Sequence, residues 1–149
     1  MGVGVIRPMD DMQRINELLR DPRIFPHISC DRCDIETFLA PENGLYLGAY
    51  DGDTNVGFFI IQQVNSVTVE IHTIIDPSYW GKSIIFAKEV LEWIFSETTM
   101  SKVITFVPEY NRKAASLAER AGMEIEGVIK RSFLKNGELH NQLIYGIGK

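Results

Sequence analysis

Cysteine and long apolar runs are scarce in this sequence, and each shortage excludes a class of protein. The 149 residues include two cysteines, too few for the disulfide framework of a small secreted domain. No apolar run approaches the roughly 18 residues of a membrane span. The first residues, MGVGVIRPMDD, show neither the basic leader nor the long apolar stretch of a secretory signal. We therefore expect a soluble, cytoplasmic protein without a membrane partner.

Positive charge is also in short supply. The formal net charge is −5, whereas proteins that bind nucleic acid use clustered Lys and Arg side chains to neutralise phosphates. We therefore expect no nucleic-acid partner. Basic or amine-bearing partners fit a negatively charged protein better, because net charge steers the approach of charged molecules.

The composition is otherwise that of an ordinary globular protein, with 45% hydrophobic and 23% charged residues. A chain of this length can bury about two thirds of the surface that its unfolded form exposes. A single domain over residues 1–149 is therefore predicted. The sequence leaves the oligomeric state open, a homodimer included.

The segment 69–85, VEIHTIIDPSYWGKSII, is the most informative part of the chain. Its β-branched residues predict a buried strand that ends at Asp76 and Pro77, and Gly81 begins a turn into a long amphipathic helix. The free N–H groups at a helix start, together with the helix dipole, form a site for phosphate. A cofactor with a diphosphate is therefore the first hypothesis.

The remaining hydrophobic patterns predict further strands and helices. Strands are expected at 3–9, 44–50, 56–64, 69–75, 102–107, 126–134 and 139–147, and helices at 11–19, 34–39, 84–95 and 111–121. The order is β-α-α-β-β-β-α-β-α-β-β. Residues 21–34 are expected to be irregular.

Local signals define the ends and faces of these elements. Asp10 is the predicted cap of the first helix, with Gln13 completing a capping box, and Asn136-Gly137 is a strong hairpin signal. Gly122 suits the left-handed position that ends a helix. The predicted buried stripe of the third helix consists of Ile84, Ala87, Leu91, Ile94 and Phe95.

Two motifs resemble those of the GNAT superfamily of acyl-CoA N-acyltransferases. The first, typical of the enzymes that acetylate protein N-termini, matches Glu70, Ile71, Pro77, Tyr79, Trp80, Gly81 and Lys82. The second, Asn-x-x-(Ser/Ala) followed by Gly-(Phe/Met), matches Asn111, Ala114, Gly122 and Met123, and a terminal hairpin carries Tyr145. The resemblance covers essentially the whole chain. It implies an α/β fold with a mixed, mostly antiparallel sheet of about seven strands and four helices.

The resemblance further implies acetyl-CoA as the acyl donor, with no metal. The residues that correspond to the family's cofactor site are Ile74, Ile75, Asp76, Trp80, Gly81, Lys82, Ser83, Ile84, Ile85 and Asn111. The family's phosphate loop reads Gln/Arg-x-x-Gly-x-Gly/Ala, so that Ser83 replaces a glycine and Ile85 replaces a small residue. A β-branched side chain at Ile85 is expected to obstruct the diphosphate unless it turns toward the sheet.

Glu70 is the candidate general base, since part of the family uses a Glu at this place to deprotonate the amine. His72 lies on the same face of the strand, because strand side chains alternate. Each has a structural alternative: a carboxylate paired with a basic neighbour, and a hydrogen-bonded histidine. The family places an oxyanion donor near Ile74. It often has a tyrosine as general acid where this chain has Ala118.

His27, Cys30 and Cys33 have the spacing His-x-x-Cys-x-x-Cys. Structural zinc requires four ligands, usually as two pairs, and no second cysteine pair exists in the sequence. We therefore expect free thiols and no metal.

Two functions follow from these observations. The first is an acetyl-CoA-dependent N-acetyltransferase whose acceptor is an amine of a small molecule, a lysine or a protein N-terminus. The second is a non-catalytic binding or structural protein with the same fold, for which a phage origin is one explanation. Ser83, Ile85 and Ala118 favour the second function, whereas Glu70 and the Tyr-Trp-Gly-Lys sequence favour the first.

Overall fold

The computed structural model describes residues 4–36, 40–41 and 43–149. The described residues form seven strands and four helices in the predicted order. The strands are β1 (Gly4–Pro8), β2 (Leu45–Asp51), β3 (Thr54–Gln63), β4 (Thr68–Ile75), β5 (Lys102–Pro108), β6 (Glu124–Lys135) and β7 (Glu138–Gly148). The helices are α1 (Met12–Leu19), α2 (Phe25–Ile28), α3 (Ser83–Glu97) and α4 (Arg112–Arg120). A short 3-10 helix, Pro77–Lys82, leads into α3.

All seven strands belong to one sheet in the order β1-β2-β3-β4-β5-β7-β6. Neighbouring strands are antiparallel except β4 and β5, which are parallel because α3 connects them as a crossover. This is the predicted mixed, mostly antiparallel sheet. No helix in the described part of the chain has the length and apolar character that crossing a membrane requires.

Alternating side chains divide the core into two clusters, one on each face of the sheet. One cluster packs under α3 and α4 and includes Leu47, Phe59, Ile71, Val103 and Tyr145. The other packs under α1 and includes Ile15, Leu18, Phe58, Ile60 and Ile74. Burial of each such side chain contributes about 1.5–3 kcal/mol.

The buried face of α3 is rotated slightly from the predicted stripe. Ala87, Leu91 and Ile94 are buried as predicted, whereas Ile84 and Phe95 are only half-buried. Phe86 and Val90, which the stripe omitted, are buried instead. The difference arises because α3 contacts the β1 side of the sheet: a Cβ added to Gly4 would lie 2.9 Å from the Phe86 ring.

Two predictions about the first helices are wrong. The cap of α1 is Asp11 rather than Asp10, because the helix begins at Met12 and the Asp11 carboxylate accepts a hydrogen bond from the Arg14 N–H at 3.1 Å. The segment predicted to be irregular contains α2, whose first turn accommodates Pro26. The helix predicted at 34–39 falls partly on residues 37–39, which lie outside the described residues.

The turn and cap signals of the C-terminal half are confirmed. Asn136 and Gly137 have φ angles of 52° and 77°, as a tight hairpin between β6 and β7 requires. Asn111 caps α4 by accepting a hydrogen bond from the Ala114 N–H at 3.2 Å. Gly122 follows α4 with a φ of 99°, in the left-handed region predicted for it.

Gly57 allows β3 to approach the end of β4 closely. Its φ is 155°, and a Cβ at this position would lie 2.2 Å from the Ile74 carbonyl oxygen and 2.8 Å from Ile75 Cα. Because the obstacle is backbone, a side chain cannot be accommodated by a rotamer change. The glycine thereby fixes the position of the last residues of β4.

We expect Gly57→Ala to lower the free energy of unfolding by about 3 kcal/mol or more, because it adds a steric clash to backbone strain. Gly52→Ala is the matched control, since Gly52 has a φ of 62° but no atom within 4 Å of an added Cβ. The Gly52→Ala substitution should lower the free energy of unfolding by about 1 kcal/mol, from backbone strain alone. Urea unfolding of both variants makes the comparison, and equal losses would contradict it.

Candidate active site

The sheet opens between β4 and β5. The two strands pair over three positions, Thr68 with Lys102 through Glu70 with Ile104, although β4 continues to Ile75. At the point where backbone pairing stops, the Thr105 hydroxyl donates to the Ile71 carbonyl oxygen at 3.0 Å. We call the opening beyond this bond the fork.

The backbone groups of β4 alternate between β3 and the fork. The Asp76 N–H donates to the Val56 carbonyl oxygen of β3 at 2.8 Å, so the N–H of Ile74, two residues earlier, also points to β3. The carbonyl groups of Ile71 and Ile75 accept bonds from the opposite side. The N–H groups that point into the fork therefore belong to Thr73 and Ile75, the two neighbours of Ile74.

A cleft of about 1100 Å³ passes through the fork and is open on both faces of the sheet. Thr73, which precedes the buried residues Ile74 and Ile75 at the end of β4, is exposed where the cleft crosses the sheet. The sheet contributes Glu70, Ile71, His72, Thr73, Ile74, Ile75, Thr105, Phe106 and Val107 to its walls. An extended chain that entered the fork could bond to β4 as an added strand does.

On the α3–α4 face, the cleft has a positively charged wall. Arg112, Lys113 and Arg120 line it from α4, together with Asn111 at the start of that helix. Gly81 of the 3-10 helix and Ser83 at the start of α3 also line it. Fixed cations and a helix start together favour a polyanionic ligand.

The segment that corresponds to the phosphate loop, residues 80–85, comprises the end of the 3-10 helix and the first residues of α3. The side chain of Asp76 caps the 3-10 helix. A hydrogen bond from the Ser78 hydroxyl, at 2.7 Å, lowers the pKa of the Asp76 carboxyl. At the other end, the Ser83 N–H donates to the Trp80 carbonyl oxygen. One N–H group at the start of α3 is thus used within the chain.

Of the predicted cofactor residues, the cleft is lined by Ile74, Ile75, Trp80, Gly81, Ser83 and Asn111. The residues Asp76, Lys82, Ile84 and Ile85 are not in its lining. Ile85 points toward β1, where its Cγ2 would lie 3.1 Å from a Cβ added to Gly4. The β-branched side chain therefore turns away from the cleft, which is the condition under which it does not obstruct a ligand.

Trp80 joins three elements at the mouth of the cleft. Its indole N–H donates to the Ile75 carbonyl oxygen at 2.8 Å. Its ring contacts the His27 ring of α2 edge-on, with the two ring centroids 5.4 Å apart. The Nζ atom of Lys113, on α4, lies 5.6 Å from the centroid of the Trp80 ring. Trp80 is 37% exposed, so these contacts leave part of the ring accessible to a ligand.

Glu70 and His72 share one face of β4, as predicted from strand alternation, and the structure places them in contact on the α1–α2 face. His72 Nε2 lies 3.0 Å from Glu70 Oε2 and 3.2 Å from Gln62 Oε1 of β3. Both oxygens accept hydrogen bonds, so Nε2 carries the proton and holds the carboxylate in place. The Glu70 side chain is 23% exposed, which leaves it accessible from the cleft.

Sequence reasoning missed several residues of the cleft. Arg112 and Lys113 are adjacent on α4 and Arg120 follows about two helical turns later, a pattern that also describes an ordinary solvated helix face. Thr73 and Thr105 look like strand residues of no special interest. Their position in the fork depends on where β4 and β5 separate, which no local pattern indicates.

The two cysteines lie outside the cleft lining, with sulfur atoms 3.5 Å apart and both thiols free. Asp31, between them, accepts hydrogen bonds from the N–H groups of Gly137 and Asn136, which lower the pKa of its carboxyl. The cysteine loop is thereby fixed to the β6–β7 hairpin. Among the described residues, no group of three or more His, Cys, Asp or Glu side chains is placed to hold a metal.

Curated proteins include similar sequences from a phage and from a bacterium. The chain is 30% identical over 108 residues to protein p31 of Acyrthosiphon pisum secondary endosymbiont phage 1, covering 72% of this chain and 70% of that protein. It is 28% identical over 97 residues to the spermidine N(1)-acetyltransferase of Escherichia coli strain K12, covering 62% of this chain. That alignment spans 52% of the E. coli enzyme, about half its length.

Solved structures show the same fold over nearly the whole chain. The spermidine N-acetyltransferase from Vibrio cholerae, in complex with CoA and spermine, superposes with a TM-score of 0.81 and 19% identity, covering 98% of this chain and 95% of that chain. A GNAT family acetyltransferase from Bacillus anthracis gives a TM-score of 0.75 at 18% identity, covering 98% and 95%. The predicted GNAT fold is confirmed.

The family comparison covers a larger part of the sequence than the curated relatives do. Residues 7–149 match one family, and this range includes the strands of the fork and all the residues that line the cleft. The phage protein p31 is similar over more than two thirds of both chains. The chain belongs to the family described as "Protein of unknown function (DUF2824)", and its fold is that of the GNAT acetyltransferases.

Proposed function

We propose that the protein is an acetyl-CoA-dependent N-acetyltransferase that acts on an amine. The observation that carries this proposal is the cleft through the fork, because it has different chemistry on the two faces of the sheet. Its α3–α4 face has the cations Arg112, Lys113 and Arg120, and its α1–α2 face has Glu70 and His72. A donor with phosphates and an acceptor with an amine can thus meet at the fork from opposite sides.

The residues present fit acetyl-CoA. Its phosphates match the charged wall of α4, and the start of α3 provides further N–H donors. The pantetheine arm matches the fork, where backbone groups of Thr73 and Ile75 lack a paired strand beyond the last β4–β5 pair, Glu70 with Ile104. The cleft volume of about 1100 Å³ leaves room for an acceptor beside the cofactor.

Glu70 is the general base in this proposal. It takes a proton from the acceptor ammonium, and His72 holds the carboxylate in place through the 3.0 Å contact. Acetyl-CoA supplies the thioester, whose carbonyl carbon bonds to the amine nitrogen while its bond to sulfur breaks. We assign the fork-facing N–H groups of Thr73 and Ile75 as donors to the carbonyl oxygen as it gains charge. Ala118 offers no proton, so the second proton that the nitrogen loses passes through water to the leaving thiolate.

The alternative function, a non-catalytic GNAT-fold protein, is favoured by one observation. The Ser83 N–H donates to the Trp80 carbonyl oxygen, so a group at the expected diphosphate position already has a partner. Similarity to the phage protein p31 is compatible with this alternative, since that protein's name states no activity. Cofactor binding and turnover decide between the two functions.

Glu70→Gln should lower the turnover of amine acetylation roughly a hundredfold or more while CoA affinity changes little, because the amide keeps the shape but cannot accept the proton. Release of the CoA thiol in the presence of an amine measures turnover, and calorimetry measures affinity. Glu92→Gln, an exposed carboxylate of α3 outside the cleft lining, is the matched control. Unchanged turnover in Glu70→Gln would remove Glu70 from the mechanism.

Lys113→Ala should weaken CoA binding about fivefold, by loss of one charge-assisted contact worth about 1 kcal/mol. Lys88→Ala removes the same charge from the exposed face of α3 and should leave affinity unchanged. Calorimetric titration with CoA at two salt concentrations tests this, and the parent protein should show the stronger salt dependence. Equal affinities of both variants would place the phosphates elsewhere.

Acetyl-CoA should bind the parent protein weakly, and Ser83→Gly with Ile85→Ala should tighten it by at least ~1.4 kcal/mol, a factor of about ten. Because Ile85 points toward β1, we expect Ile85→Ala alone to give none of this gain. Tight binding of acetyl-CoA by the parent protein would show that Ser83 and Ile85 do not impair the phosphate loop. If neither the parent nor the double variant bound acetyl-CoA, the enzyme proposal would be wrong.

A further inference from the structure

The acceptor side of the cleft has mostly apolar walls. We call it the acceptor pocket and define it by the cleft residues on the α1–α2 face, with Glu70 and His72 on the strand that forms its floor. Its apolar residues are Leu19, Ile24, Ile28, Pro41, Ile60, Ile74 and Phe106. Several of them belong to the core cluster under α1, so the pocket continues that cluster outward.

Negative charge in the cleft is concentrated at one point. Among the described residues of its lining, Glu70 is the one carboxylate. The lining cations lie on the opposite face, on α4. The pocket can therefore neutralise one ammonium group, at the place where the amine must lose its proton to react.

The two imidazoles beside the pocket do not supply a second anionic contact. His72 Nε2 donates toward Glu70 and Gln62, and the His27 ring packs edge-on against Trp80. An imidazole is neutral or positive, so neither ring can neutralise an ammonium group. Gln62 offers a carbonyl oxygen, but the contact with His72 engages it.

A second ammonium group in this pocket would be costly. Removal of a charged group from water into apolar surroundings is unfavourable unless a charge partner and hydrogen bonds compensate it. Beyond Glu70, an extended acceptor meets Ile28, Ile60 and Phe106 in place of such a partner. A methyl group or a ring at the same point gains free energy by leaving water.

We infer that the acceptor is a monoamine with an apolar body, such as an alkylamine, an arylalkylamine or the N-terminus of an apolar peptide, and not a polyamine. The inference rests on the proposed function, which assigns Glu70 to the reacting amine. It separates this chain from the spermidine acetyltransferases to which its fold is similar. In this pocket one carboxylate orients the nitrogen, and the apolar wall selects the remainder of the molecule.

Hexylamine and 1,6-diaminohexane provide a matched test, since they differ at the far end by a methyl group against an ammonium group. We expect kcat/KM for acetylation of hexylamine to exceed that of the diamine at least tenfold, and spermidine to resemble the diamine. Calorimetric titration of both amines into the CoA-loaded protein should give the same order of affinity. This second readout does not depend on turnover.

Ile28→Glu should reverse the preference, because it places a second carboxylate on a half-buried position of the pocket wall. Val64→Glu adds the same charge at a residue that is 54% exposed and outside the cleft lining, and should leave the ratio unchanged.

The outcomes separate the inference from the proposed function. Preferred binding and acetylation of the diamine or spermidine would overturn the inference and leave the transferase proposal intact. Equal affinity for the two matched amines would also overturn it. Preferred binding of hexylamine without turnover would support the pocket assignment and contradict the catalytic proposal. If the CoA-loaded protein bound neither amine, the acceptor pocket would be wrongly assigned.

Discussion

The separation of β4 from β5 is the constraint on which the site depends. A strand inside a sheet normally satisfies its backbone groups on both edges, but β4 pairs with β5 over three residue pairs only. Beyond them, alternate N–H and C=O groups of β4 point into an opening. Polar backbone groups at an apolar cleft favour a ligand with amide groups of its own. The same separation lets the cleft reach both faces of the sheet.

Several otherwise ordinary contacts maintain this opening. Gly57 lets β3 support the end of β4 without a side chain between them, and the Thr105 hydroxyl bonds to Ile71 where the fork begins. Trp80 then spans the mouth of the cleft, with contacts to Ile75, His27 and Lys113. Trp80 thus contacts elements on both sides of the sheet.

The sheet also separates the positive and the negative charges of the cleft. Three cations of α4 lie on one side of the fork, and the carboxylate of Glu70 lies on the other, within an otherwise apolar pocket. This arrangement is the basis of the proposal that the donor carries phosphates and the acceptor carries one ammonium group. It also explains how a chain with a net charge of −5 can present a positive wall, since net charge says little about the local distribution of charged residues.

The sequence alone determined the order of the elements, the hairpin at Asn136-Gly137 and the fact that Glu70 and His72 share one face of β4, because turn residues and strand alternation are local properties. Only the tertiary structure decided the rest. The direction of Ile85 depends on contact with β1, the identity of the fork-facing N–H groups depends on pairing with β3, and the charged wall depends on how α4 packs. Each of these features depends on contacts between residues that are distant in the sequence, and no local pattern encodes which of those residues meet.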